Sequence, residues 1–178
     1  MRSNPKVAVI IPTFNRADYI SESIESVLQQ TISPTQLLVV DDGCTDDTAA
    51  VVRRYGDKVT YLRKENGGKA AAANYALPLV KADYLWVFDD DDIACPDALE
   101  AHLAVLEQRP EIGFTVSGAY SCSEGPGGRL CIEQVSPARP FPEDEALMEL
   151  MLSCFSASPA IVVRMNLVRQ CGPERPEL

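Results

Sequence analysis

The chain has 178 residues, 46% of them hydrophobic and 24% charged, with 16 Lys+Arg against 26 Asp+Glu for a formal net charge of −10. Those proportions belong to a folded globular domain with a substantial core and exclude a disordered chain. The acidic balance repels a phosphate backbone, so nucleic acid is excluded as a partner, and no apolar run approaches the roughly 20 residues of a membrane span.

Val7–Pro12 (VAVIIP) is a continuous β-branched run closed by proline, the pattern of a strand buried on both faces. Asp18 is placed to cap a helix whose Ile20, Ile24, Val27 and Leu28 share one side. Leu37–Val40 reads as a second strand ending in Asp41-Asp42-Gly43, and Thr45–Tyr55 as a helix with Asp46 and Asp47 in its first turn. Val59–Leu62 is a third strand, the alanine-rich Lys69–Val80 a third helix, and Tyr84–Phe88 a fourth strand running into Asp89-Asp90-Asp91-Asp92. Pro96 opens a helix that extends to about Gln108. Beyond it, Phe114–Ser121 reads as a strand, and Glu124–Arg129 as a turn closing a hairpin with Leu130–Val135. Glu143–Leu152 reads as a short helix, Ala160–Arg164 as a final strand and Asn166–Cys171 as a last helical segment.

Strands alternating with helices over short connections predict an α/β fold: a mostly parallel, Rossmann-like sheet with helices on both faces, plus a smaller hairpin and helix region. Ligands of such sheets sit at the carboxyl ends of the strands, and both acidic clusters fall there. Adjacent carboxylates about 4 Å apart repel by about 1 kcal/mol even in water. The relief for Asp89–Asp92 is either a hard divalent cation, Mg2+ or Mn2+, or solvation as an acidic turn. Asp41 and Asp42 suit either a ring N–H or ribose hydroxyl, or a helix cap. Asn66-Gly67-Gly68-Lys69 suits either a diphosphate at a helix N-terminus or a plain turn; neither GxxxxGK[ST] nor GxGxxG is present.

Six scattered cysteines (Cys44, Cys95, Cys122, Cys131, Cys154, Cys171) form no CxxC pair and read as reduced thiols, although Cys122 and Cys131 are spaced to bridge a hairpin. The single histidine, His102, lies beside Leu99, Leu103 and Leu106 and reads as a helix-face residue rather than a base. The N-terminus has no signal-peptide pattern, so a cytoplasmic protein is expected.

Four segments, VIIPTFN (9–15), LVVDDGCTD (38–46), NGGKAAAAN (66–74) and WVFDDDDIACP (86–96), resemble in order and spacing the family 2 glycosyltransferases. That resemblance implies a GT-A fold and inverting, metal-assisted transfer of a sugar from a UDP- or dTDP-sugar to an acceptor hydroxyl. It places Pro12, Thr13, Phe14 and Asn15 around the nucleotide base, with Asp42 accepting from the ring N3–H and Asp41 supporting it. Asn66 and Lys69 fall along the base or diphosphate path. Asp89-Asp90-Asp91 matches the DXD motif, with Asp91 and Asp89 as metal ligands to Mn2+ or Mg2+ and Asp89 or Asp90 reaching the ribose.

Residues 1–120 would then be the donor-binding subdomain and 121–178 the acceptor-side portion. The family's general base is expected beyond Leu178, since Glu143-Asp144-Glu145 precedes the matching strand. The acceptor stays open among saccharide, lipid-linked and small-molecule classes, as do a homodimer and peripheral membrane association. Two other readings compete: a nucleotide-sugar-binding module without turnover, and a haloacid-dehalogenase-like phosphatase. A receiver domain is disfavoured by the PTFN segment and the acidic quartet.

Overall fold

Seven consecutive buried residues, Val7–Thr13, form β1 inside a six-stranded sheet. The structure, a computed structural model, describes residues 5–125, 130–136 and 160–172. The chain continues through α1 (Ile20–Leu28), β2 (Gln36–Asp41), α2 (Thr48–Arg53), β3 (Thr60–Arg63), α3 (Lys69–Ala76), β4 (Tyr84–Val87) and α4 (Ala98–Gln108). It ends with β5 (Phe114–Val116), β6 (Ala119–Glu124), β7 (Leu130–Ser136), β8 (Ile161–Arg164) and α5 (Met165–Cys171).

The strand order is β3-β2-β1-β4-β8-β5. The first four strands are mutually parallel, so their carboxyl ends share one edge, while β8 runs antiparallel to both β4 and β5. Because β1 lies between β2 and β4, the chain leaves it toward one side of the sheet and β4 is reached on the other. The loops after β1 and β4 therefore flank the switch point of the sheet, the place where ligands of such sheets bind.

Side chains alternate across each strand, so β1 serves both layers. Val7, Val9 and Ile11 pack with Ile20 and Ile24 of α1, Val52 of α2, and Leu99, Leu103 and Leu106 of α4. Ala8 and Ile10 face the opposite layer, against Ala72 and Ala76 of α3 and Met165. Alanines on α3 leave no bulk between helix and sheet, which brings its N-terminus close to the strand ends. Each fully buried Ile or Leu in these layers contributes about 2 kcal/mol.

Local departures from the sequence expectations have physical causes. The cap position of α1 is Tyr19, without a side-chain bond, and the Arg16 carbonyl accepts from the Tyr19 and Ile20 amides, so Asp18 does not cap it. The second helix begins only at Thr48. Asp46 is spent before it, accepting from the Thr48 and Ala17 amides. Helix α3 stops at Ala76 and tightens into a 3-10 turn over Leu77–Leu79, because Pro78 has no N–H to continue the ladder.

The span expected as one strand from Phe114 to Ser121 is two. β5 joins the main sheet, and β6 leaves it to pair with β7 as a separate hairpin, as the Leu130–Val135 pairing predicts. Arg164 fastens β8 to its surroundings, donating to the Ile112 carbonyl at 2.7 Å and the Tyr84 hydroxyl at 2.9 Å. His102 is buried, as expected of a helix-face residue, and hydrogen-bonds Thr115 at 2.8 Å; burial lowers its pKa to about 4. The five cysteines among the described residues form no disulfide. Cys154, the Glu143–Leu152 helix, Glu143-Asp144-Glu145 and turn residues 126–129 lie outside the described residues.

Candidate active site at the strand ends

The parallel strands deliver every segment singled out in the sequence to one edge. Thr13 ends β1, Asp41 ends β2, Arg63 ends β3, and Val87 leads into the aspartate quartet. Backbone bonds tie these ends together: the Asp42 amide donates to the Thr13 carbonyl at 2.9 Å and the Lys64 amide to the Asp41 carbonyl at 3.0 Å.

At the end of β1, Pro12 and Thr13 are buried, while Phe14 is 47% exposed. The Thr13 hydroxyl is buried; it makes no close hydrogen bond among the described residues and faces the Asp90 carboxylate, whose ionised form it favours. Asn15 takes a left-handed conformation, φ 54°, and its carboxamide oxygen accepts from the Thr45 amide at 2.8 Å. It thereby bridges the loops after β1 and β2.

Asp41 has no exposed surface. Its carboxylate accepts from the Cys44 amide at 2.6 Å and from the Tyr61 hydroxyl, with the Arg63 guanidinium 3.8 Å away. Burial opposes ionisation, but these donors outweigh it and hold Asp41 below the usual carboxylate range. Asp42 is equally enclosed. The Lys64 ammonium stands 2.6 Å from Oδ1, and the Gly67 and Gly68 amides donate at 3.1 and 2.7 Å. Burial again opposes ionisation, and Lys64 with the two amides again wins, so Asp42 also sits below its usual range.

The amides of Gly67 and Gly68 therefore meet a carboxylate from inside the protein. Gly68 caps α3 with φ 87°, a left-handed backbone that favours glycine. A Cβ on Gly43, φ 85°, would stand 2.9 Å from the Asn66 backbone nitrogen, so that position also requires glycine for the turn to pack against the end of β2.

The quartet after β4 is different. Asp91 is exposed, with the Arg16 guanidinium at 3.5 Å, and Asp89 pairs with the Lys69 ammonium. Burial, with the charge of Asp91 beside it, raises the pKa of Asp90; burial, with Asp89 and Asp91, raises that of Asp92. Among the described residues no three His, Cys, Asp or Glu side chains are gathered as a closed metal cage. What exists is an open, all-oxygen edge of half-buried and exposed carboxylates, a donor set suited to a hard divalent cation that takes its remaining ligands from elsewhere.

The structure thus brings together Pro12, Thr13, Phe14, Asn15, Asp41, Asp42, Asn66, Lys69, Asp89, Asp90 and Asp91 at one edge of the sheet. Sequence reasoning missed Arg16, Tyr61, Arg63 and Lys64. The available signal was Arg63-Lys64 at the end of a strand neighbouring Asp41-Asp42, two basic residues where the parallel topology places two acids.

The Glycosyl transferase family 2 sequence model matches residues 8–168. The chain belongs to that family. An uncharacterised glycosyltransferase of Rickettsia felis is 36% identical over 128 residues, covering 71% of this chain and 21% of that protein. The chondroitin synthase of Pasteurella multocida is 38% identical over 99 residues, 54% of this chain and 10% of the synthase. The chain spans 21% and 33% of the length of two Rickettsia relatives that it matches.

Among solved structures, the mannosyltransferase PcManGT from Pyrobaculum calidifontis, in complex with GDP-Man and Mn2+, superposes with a TM-score of 0.71 at 20% identity, covering 99% of this chain and 49% of that one. TarS 1–349 from S. aureus, in complex with UDP, gives 0.67 at 23% identity over 97% of this chain and 51% of that one. At such identities these likenesses establish the fold, which is GT-A. Among the described residues no helix is long and apolar enough to cross a membrane.

Proposed function

We propose that this chain binds a nucleotide-diphospho-sugar, UDP- or dTDP-linked, in the strand-end crevice and serves its inverting, metal-assisted transfer to an acceptor hydroxyl. The observation that carries this reading is the convergence at one switch point, in a family 2 chain, of the four strand-end segments. The solved likenesses with UDP and with GDP-Man and Mn2+ support it.

In this reading residues 1–120 hold the donor and 121–178 face the acceptor. Pro12, Thr13, Phe14 and Asn15 border the base. The buried Thr13 hydroxyl stands beside Asp90 at the end of β1, and the Asp42 carboxylate accepts from N3–H of uracil or thymine. Asn66 and Lys69 lie along the path of the ribose and diphosphate, with Asp89 or Asp90 on the ribose. Asp91 and Asp89 would hold Mn2+ or Mg2+, since both present carboxylate oxygen at the open side of the site. Such a cation, when bound, neutralises the diphosphate and stabilises it as a leaving group. Lys69 and Arg16 pair with Asp89 and Asp91 and so set positive charge beside the path assigned to the diphosphate.

A thermal-shift panel tests the reading. With Mn2+ present, UDP and dTDP raise the melting temperature and CDP and GDP do not. Equal shifts by all four nucleotides, or none by any, would refute base-selective donor binding.

A further inference from the structure

The Asp42 carboxylate has no acceptor position to spare. Its two oxygens carry about four lone-pair sites between them. Gly67 N donates across both oxygens at 3.1 Å each, Gly68 N takes Oδ2 at 2.7 Å, and Lys64 Nζ takes Oδ1 at 2.6 Å. A ring N–H arriving at this carboxylate must displace a donor.

The three donors are not equally displaceable. The Gly67 and Gly68 amides belong to the turn that starts α3, and that turn is locked against Gly43 at the end of β2. Removing them means unwinding the helix start. Lys64 sits on a flexible four-carbon stem, its side chain 17% exposed against 4% for Asp42, and its ammonium also contacts the Glu65 carbonyl. Rotating its terminal torsions returns it to solvent without moving backbone.

We infer that Lys64 occupies, in the free protein, the position on Asp42 that the base N3–H takes in the complex, and that it thereby sets the strength of base recognition. This inference rests on the reading of Asp42 as the base acceptor. Lys64 holds the carboxylate ionised and correctly turned while the crevice lacks a nucleotide, then yields Oδ1 to the base. Gly67 is part of the same arrangement: a Cβ there would stand 2.9 Å from Lys64 Nζ, so the missing side chain makes the room in which the ammonium sits.

The test uses uridine and 3-methyluridine, titrated by NMR into wild type, Lys64→Met and Gly67→Ala. Both nucleosides are uncharged, so losing the lysine's charge acts on the base contact alone. Removing the competitor should tighten uridine by about fivefold, the worth of one net hydrogen bond, and leave 3-methyluridine unchanged. Gly67→Ala, which pushes the ammonium aside without removing it, should move uridine in the same direction by less. Uridine affinity unchanged or weakened in Lys64→Met, with wild type still preferring uridine to 3-methyluridine, overturns the role of Lys64 and leaves the base contact standing. No preference in wild type overturns the base contact itself and the inference with it.

Discussion

Two acidic clusters stand at neighbouring strand ends, and the protein treats them in opposite ways. Asp41 and Asp42 are buried, and hydroxyl, amide and cationic donors from their own chain hold them ionised below the usual carboxylate range. In the quartet after β4, Asp90 and Asp92 are pushed the other way by burial and by neighbouring carboxylates, against the weaker pull of Arg16 and Lys69, which pair directly with Asp91 and Asp89. Carboxylate density is therefore a poor guide to ligand demand. What separates an acid that its own chain holds ionised from one that waits for a cation is whether donors from the same chain already fill its lone pairs.

If that contrast is right, mutations at the two clusters part company. Asp41→Ala should have the largest effect, about 3–4 kcal/mol of lost stability, because it strands Tyr61, the Cys44 amide and Arg63 around an empty pocket. Urea denaturation measures it, and a loss under about 1 kcal/mol would mean that the buried pair carries little of the fold.

The acid side of the stability profile sharpens the contrast. The pKa of His102 is lowered from 6.5 to about 4, so its contribution is present above about pH 6.5 and is lost as pH falls toward 4. The full loss is about 3 kcal/mol. Asp41 and Asp42 remain ionised through that window and are lost only below it. Asp90 and Asp92, with raised values, act in the opposite sense. Subtracting the His102→Gln profile from that of wild type cancels all four carboxylates, and the difference should lie between pH 4 and 6.5. A flat difference would contradict the assignment.

Gly43→Ala should cost about 2 kcal/mol, since it combines a left-handed backbone with a Cβ pressed on the Asn66 nitrogen. It should also weaken nucleotide binding by displacing the turn that Asp42 holds, whereas the same substitution at Gly56, with φ 55° and open space around it, should cost stability alone. Tyr61→Phe removes a single donor from Asp41 and should cost about 1 kcal/mol without touching nucleotide affinity. A larger effect on binding than on stability would move Tyr61, and Asp41 with it, from scaffold to site.

The legibility of these features from sequence follows the same division. Strands β1, β2 and β4 could be read to within about a residue because burial on both faces leaves an uninterrupted apolar run. The place of β8 between β4 and β5 could not, because pairing over more than seventy residues leaves no trace in local periodicity. The break after Val116 did carry a local signal, Ser117-Gly118, which the reading of Phe114–Ser121 as one strand passed over although its two ends pair with different partners. At the site, the acids were legible and their partners were not. Lys64 and Arg63 look like solvated ends of a short strand until the parallel topology sets them beside Asp42 and Asp41. Four similar aspartates in a row also conceal that Asp90 and Asp92 are half-buried while Asp91 faces solvent.

The most direct test of this division is calorimetric titration of UDP into wild type and Asp91→Ala, each with Mn2+ and then with EDTA, alongside their melting temperatures. Wild type should bind UDP in a metal-dependent manner. In Asp91→Ala that dependence should disappear while the melting temperature stays within about 2 °C, as expected for an exposed side chain on the quartet. Undiminished Mn2+-dependent affinity in the variant, or its unfolding, would contradict the claim that the quartet waits for a cation while the pair at β2 holds the fold.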